Sequence, residues 1–144
     1  MPQLPYSKIQ FHFLVKGFNL RERTRLKKFL TRLMKIEGRQ FDSIDFIFCS
    51  DEFLLSLNQA FLSHNYYTDI LTFDLSESDK LVGEVYISID RVKANSKEFN
   101  KSQREELHRV IFHGVFHLCG YKDKTPKEQK KMRAKEDLAI SMFF

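Results

Sequence analysis

The chain has 144 residues, with 24 Lys and Arg against 19 Asp and Glu, a formal charge of +5 and a pI near 9.2. That length supports one domain with a real core, no apolar run approaches the length of a membrane span, and the charge favours a polyanionic partner. Cys49 and Cys119 fit no metal or redox spacing and Met1 to Gln10 carry no signal-peptide apolar region, so the expected setting is the cytoplasm with both thiols reduced.

Taken in order, residues 8–16 alternate. Ile9, Phe11, Phe13 and Val15 face one way; Lys8, Gln10, His12 and Lys16 face the other, which predicts a half-buried strand. The spacing of Leu26, Phe29, Leu30, Leu33 and Met34 predicts a helix over 20–36. Its remaining surface is crowded with Arg21, Arg23, Arg25, Lys27, Lys28 and Arg32, either a solvated face or an RNA-contacting one. Gly38 closes this segment. Residues 42–49 predict a second strand with Ile44, Phe46 and Phe48 inward. Ser50 is a good N-cap, and Asp51 and Glu52 suit the first turn of a short helix holding Phe53, Leu54, Leu57, Ala60 and Phe61.

Residues 63–69 form a polar aromatic loop, 70–75 a third strand, 76–80 a turn and 81–89 a fourth strand. In that strand Val85, Ile87 and Ile89 alternate with Glu84, Tyr86 and Ser88. Asp90 is the candidate cap for a helix over 91–98. The fifteen phenylalanines, with no tryptophan beside them, are expected to fill the core.

The next helix carries the chemistry. Ser102 and Glu105 make the S-x-x-E signature of a helix start, and Leu107, Val110, Ile111, Val115 and Leu118 give it an apolar stripe. Gly120 stops it. His113 and His117 are four apart, hence about 40° apart around the axis and about 6 Å along it, so both imidazoles can reach one ion. Asp123 follows within a short turn. Two imidazoles and a carboxylate suit zinc and leave a fourth position for water. The competing reading is two partly buried histidines hydrogen-bonded to backbone. Cys119 is turned to the other side of the helix and is not counted as a ligand. Gly114 stands where an H-E-x-x-H metalloprotease has its glutamate base, so a peptide-hydrolysing reading lacks that base.

Thr125-Pro126-Lys127-Glu128 reads as N-cap, first-turn proline and capping-box glutamate, opening a last helix towards Met142 with Met132 and Leu138 inward. The whole order predicts an α+β fold, an α/β sandwich in which a mixed four-stranded sheet is covered by about five helices.

Three stretches together make the chain resemble the YbeY family of metal-dependent endoribonucleases. They are Leu57-Asn58 followed by Thr68-Asp69-Ile70-Leu71-Thr72-Phe73; Gly83-Glu84-Val85-Tyr86-Ile87; and His113-Gly114-x-x-His117-Leu118-x-Gly120-Tyr121. The resemblance implies a single metal-dependent hydrolase domain over residues 1–144. It implies one Zn2+ ion on His113, His117 and Asp123, the same three residues being the catalytic set. It also implies a single-strand-specific endoribonuclease acting in small-subunit ribosomal RNA maturation and ribosome quality control. The implied partners are ribosomal RNA and the small ribosomal subunit, with no membrane and no organic cofactor. Asp123 stands where the family usually has a third histidine, and Leu62 where it usually has an arginine. Candidate substrate-binding residues are His64, Tyr66, Tyr67, Tyr121, Lys122 and Lys124, the tyrosines as stacking partners for unpaired bases, against a plainer role in packing or at the rim. The alternative function is a non-catalytic ribosome- or RNA-binding assembly factor with a structural metal; a metal-dependent peptide hydrolase is a third reading.

Overall fold

Alternating apolar runs over Phe41–Cys49 (β2) and Leu81–Ser88 (β4) make the two central strands of the protein, flanked by Ile9–Phe13 (β1) and Ile70–Asp74 (β3). The structure is a computed structural model and describes residues 5–144; Met1–Leu4, part of the signal-peptide reading, lie outside it. The sheet order is β1-β2-β4-β3. β1 pairs parallel with β2 and β2 parallel with β4, while β3 runs antiparallel to β4. The helices are α1 (Arg23–Ile36), α2 (Asp51–Leu62), α3 (Ile89–Glu98), α4 (Gln103–Leu118) and α5 (Pro126–Phe143). The expected mixed four-stranded sheet with five helices is therefore the observed architecture.

The period-two alternation of the strands divides the core. Ile44, Phe46, Phe48, Val85 and Ile87 face one way and pack with α1, α3, α4 and α5 in the main core. On the other side, Cys49 and Leu71 meet Leu54 of α2 in a smaller cluster. α1 buries Leu26, Phe29, Leu30, Leu33 and Met34, the five residues its spacing singles out. Phenylalanine fills much of the core, with Phe46, Phe48, Phe112, Phe116 and Phe143 fully enclosed, although Phe61 and Phe99 are exposed. Both cysteines are free. Among the described residues no helix is long and apolar enough to cross a membrane.

Four local expectations are corrected. α3 starts at Ile89 and is capped by Ser88, whose hydroxyl accepts from Arg91 N. Asp90 instead accepts from Asp51 N at the start of α2, adding a second acceptor at that helix end. The helix α1 starts at Arg23 rather than 20, because Glu22 takes a left-handed conformation with φ of 55°. At α4 only half of the capping box forms: Ser102 Oγ accepts from Glu105 N, while the Glu105 carboxylate lies 3.6 Å from Lys101. Leu138 is 58% exposed rather than inward. The inward stripe of α5 is Met132, Glu136, Ala139 and Phe143, and a residue six positions after Met132 falls on the opposite side of a helix. The Thr125 capping box forms as expected.

Candidate metal centre

α4 is buried along most of its length, and its middle turn comes very close to the sheet. A Cβ at Gly114 would lie 2.8 Å from Val85 Cγ1 and 2.9 Å from Ile70 Cδ1. Position 114 therefore faces β3 and β4, and only a glycine lets the helix approach this far. His113 and His117 flank that contact and line a cleft with Ile70 and Thr72 of β3, their rings 4.5 Å apart and nearly perpendicular. Just beyond them the helix stops in a Schellman motif. Gly120 has φ of 99°, Gly120 N donates to His117 O and Tyr121 N to Phe116 O. The turn brings Asp123 back over the histidines.

The result is a convergence. Asp123 Oδ2 lies 3.2 Å from His113 Nε2 and 3.1 Å from His117 Nε2. One ligand atom from each of the three residues falls within 4.8 Å of the others. The other ring nitrogens are already engaged. His117 Nδ1 donates to Tyr121 O at 2.9 Å, and His113 Nδ1 to Glu136 Oε2 at 2.6 Å. Each imidazole is thereby held in the tautomer that leaves Nε2 free to ligate, the usual arrangement at metal-binding histidines. Two nitrogens and one oxygen, each partly buried, form a donor set that fits a zinc-like divalent ion with an open position.

Glu136 is 5% exposed and ties this centre to α5. Its other oxygen lies 3.2 Å from Arg109 Nη1, which also meets Asp137 at 2.9 Å. Burial pulls the His113 pKa down, but the Glu136 hydrogen bond and charge, aided by Asp123 and Asp69, outweigh it and leave the pKa raised. Asp69 is the second acid absent from the sequence-based candidate set. Burial raises its pKa, against the lowering effect of His113, and its carboxylate accepts from Asn95 Nδ2 at 3.3 Å. Its sequence signal is the Thr68-Asp69-Ile70 stretch, which carries the family resemblance without marking Asp69 as a site acid.

Two clefts meet at the triad, and Asp69, His113 and Asp123 line both. The first, about 370 Å³, is also lined by Leu62, His64, Tyr66, His117 and Lys124. His64 and Tyr66 stack with ring centres 5.1 Å apart, and the Tyr66 hydroxyl lies 2.9 Å from His64 Nδ1. Buried Asn58 clamps this loop: its side-chain Nδ2 donates to Tyr66 O and its backbone carbonyl accepts from His64 N. The second cleft, about 670 Å³, runs between α3, α4 and α5. Three candidates lie elsewhere. Tyr67 donates to Glu52 with Arg91 over its ring, outside both clefts. Tyr121 donates its hydroxyl to Glu37 and packs edge-on against Phe116, so only its carbonyl serves the site. Lys122 is exposed and lines neither cleft. On α1, Arg23, Arg25 and Lys27 lie over Phe13, Phe143 and Phe11, which gives part of that basic face a packing role.

The model of the family described as Endoribonuclease YbeY matches residues 16–143. An Endoribonuclease YbeY of Cytophaga hutchinsonii is 49% identical over 126 residues, covering 87% of this chain and 88% of that protein. One of Porphyromonas gingivalis is 42% identical over 135 residues, covering 92% of this chain and 89% of its own length. The solution structure of TM1509 from Thermotoga maritima superposes with a TM-score of 0.62 at 30% identity, covering 94% of this chain and 88% of that one. With the family model spanning nearly the whole chain and relatives this similar over most of their length, the chain belongs to the YbeY endoribonuclease family.

Proposed function

We propose that this protein is a metal-dependent endoribonuclease of a single domain, cutting single-stranded RNA during maturation of the small-subunit ribosomal RNA and in ribosome quality control. The reading is carried by one observation: two imidazole Nε2 atoms and one carboxylate oxygen converge within 4.8 Å, both imidazoles being held from behind. His113, His117 and Asp123 would hold one zinc ion and are the catalytic set. Such an ion acidifies a water or polarises a phosphoryl oxygen when bound. The chain's own residues do the rest. Glu136 and the Tyr121 carbonyl hold the two rings in their ligating tautomer. Lys124, at the mouth of the first cleft, supplies a cation for phosphate where Leu62 supplies none. The His64–Tyr66 pair offers an aromatic surface to an unpaired base. A cytoplasmic protein acting on the small ribosomal subunit, with no organic cofactor, completes the reading.

Leu62 favours a second reading, an RNA-binding assembly factor whose metal is structural. The two part in one experiment. Wild-type protein with zinc is incubated with single-stranded RNA, the same RNA annealed to its complement, and precursor small-subunit RNA, with His117→Ala purified identically. Metal-dependent cuts confined to unpaired segments and lost in the variant are expected; tight RNA binding with no cut by either protein would replace the nuclease with the assembly factor.

A further inference from the structure

The second cleft holds a group that the metal chemistry does not use. Glu106 lies on the cleft side of α4, seven residues before His113, and is 4% exposed. Among the described residues its carboxyl group makes no hydrogen bond and no ion pair. Glu106 lines the cleft together with Asp69, Arg109, Arg133 and Glu136, and its carboxyl oxygens are open to it. Burial raises its pKa, Asp69 adds to the rise, and Arg109 and Arg133 oppose it. The Glu106 oxygens are not sealed in the core and are free to accept from a group that enters the cleft.

The cleft says what kind of partner. Its floor carries Glu106, Glu136 and Asp69 against one cation, Arg109, already paired with Glu136 and Asp137, so the floor stays acidic and disfavours phosphate. Its rim carries exposed Lys130 and Arg133, which attract it, and the half-exposed ring of Phe99. Its volume of about 670 Å³ suits a small organic group. A nucleotide fits this polarity in one orientation, with its phosphate at the rim and its base inward. A carboxylate facing a base edge pairs best with two adjacent N–H donors, which among the four RNA bases is the N1–H and 2-amino edge of guanine.

We infer that the second cleft is a base-reading pocket beside the scissile phosphate, in which Glu106 selects guanine. The inference rests on the proposed RNA-cleaving function and names the specificity of that site. Glu106 is a specificity residue here, and the metal triad does not depend on it.

The test uses fluorescent hexanucleotide RNAs that differ at one position, carrying guanine, inosine, adenine or uracil. Inosine lacks only the 2-amino donor. Equilibrium binding is measured with the non-cleaving His117→Ala protein, and cut sites are mapped with zinc-loaded wild type. Guanine is expected to bind about tenfold more tightly than inosine or uracil, with cuts placed at a fixed position beside it. Glu106→Gln, added to each protein, should remove the guanine preference, so that guanine-, inosine- and uracil-containing RNAs bind with similar affinity. Equal binding of guanine and inosine RNAs would overturn the assignment, and this comparison needs no variant at position 106. Equal weakening of all four RNAs by Glu106→Gln would also overturn it, pointing to a general electrostatic role. Absence of cleavage by wild type would sink the nuclease reading alone, because the base preference is read separately in binding.

Discussion

His113 and Glu136 are 23 residues apart in sequence, yet His113 Nδ1 lies 2.6 Å from Glu136 Oε2. The pair couples α4 to α5 and fixes the imidazole that faces Asp123. A carboxylate behind a ligating histidine orients the ring and raises its basicity, and losing such a partner typically costs 10–100-fold in metal affinity. Glu136→Gln is therefore expected to weaken zinc binding by about that factor, measured by competition against a chromophoric chelator. An unchanged affinity would mean that the hydrogen bond does not govern the ligand.

Gly114 sets how far α4 sinks onto the sheet. Gly114→Ala gains about 1 kcal/mol of helix propensity but drives a methyl against Val85 Cγ1 at 2.8 Å. Valine is stiff about χ1 and cannot easily turn aside, and such overpacking costs typically 1–3 kcal/mol. Overpacking is expected to win, giving a net loss of up to about 2 kcal/mol in urea denaturation. A stabilised variant would show that the helix can lift away without cost.

Much of this architecture is legible in the sequence because it is local. The α1 stripe, the Thr125 capping box and the His113–His117 spacing each need only a few neighbouring residues, and each forms as the pattern dictates. What the sequence hides depends on contacts between distant segments. Glu136 is a charged residue on the inward stripe of α5, so a reading that places only apolar residues inward passes over it and puts Leu138 there instead. Its burial becomes intelligible only with Arg109 and His113 in place. Glu106 is hidden for the same reason, since it belongs to a cleft assembled from three or more segments, and Asp69 shows in the sequence only as part of a family stretch, not as an acid of that cleft. Tyr121, by contrast, is an exposed-looking aromatic in a polar turn whose ring is claimed by Phe116 and whose hydroxyl is claimed by Glu37.

His108 gives a pH test of the core. It is 2% exposed, stacked on Phe143, with Nδ1 donating to Arg104 O and Nε2 without a protein partner. Burial lowers its pKa below the ordinary 6.5, an effect the Arg104 carbonyl bond only partly opposes. The folded state thus holds this ring neutral while the unfolded chain takes up a proton. Its contribution to stability is full above pH 6.5 and is lost as pH falls from there towards the folded pKa. In His108→Phe that loss is absent. The stability of wild type relative to the variant should be constant above pH 6.5 and fall below it, as read from urea midpoints at a series of pH values. A pH-independent difference would contradict the burial of a neutral ring.

Tyr66 tests the first cleft. It stacks on His64 and has no role in holding the triad. Stacking of a base on an aromatic side chain contributes about 1–3 kcal/mol per base. Tyr66→Ala is expected to weaken single-stranded RNA binding by roughly tenfold or more while zinc affinity stays at the wild-type value. Fluorescence anisotropy with a short labelled RNA reads the first and chelator competition the second. Full RNA affinity in the variant would remove the stacking role.

The central claim is that His113, His117 and Asp123 hold one ion on which RNA cleavage depends. It is tested most directly by stripping wild-type protein with a chelator, adding zinc back in steps, and following bound metal and single-stranded RNA cleavage on the same samples. The account predicts that cleavage vanishes on stripping and returns in proportion to zinc, saturating at one ion per chain, and that His117→Ala recovers neither. Cleavage that survives in stripped protein, or that persists in His117→Ala, would contradict it.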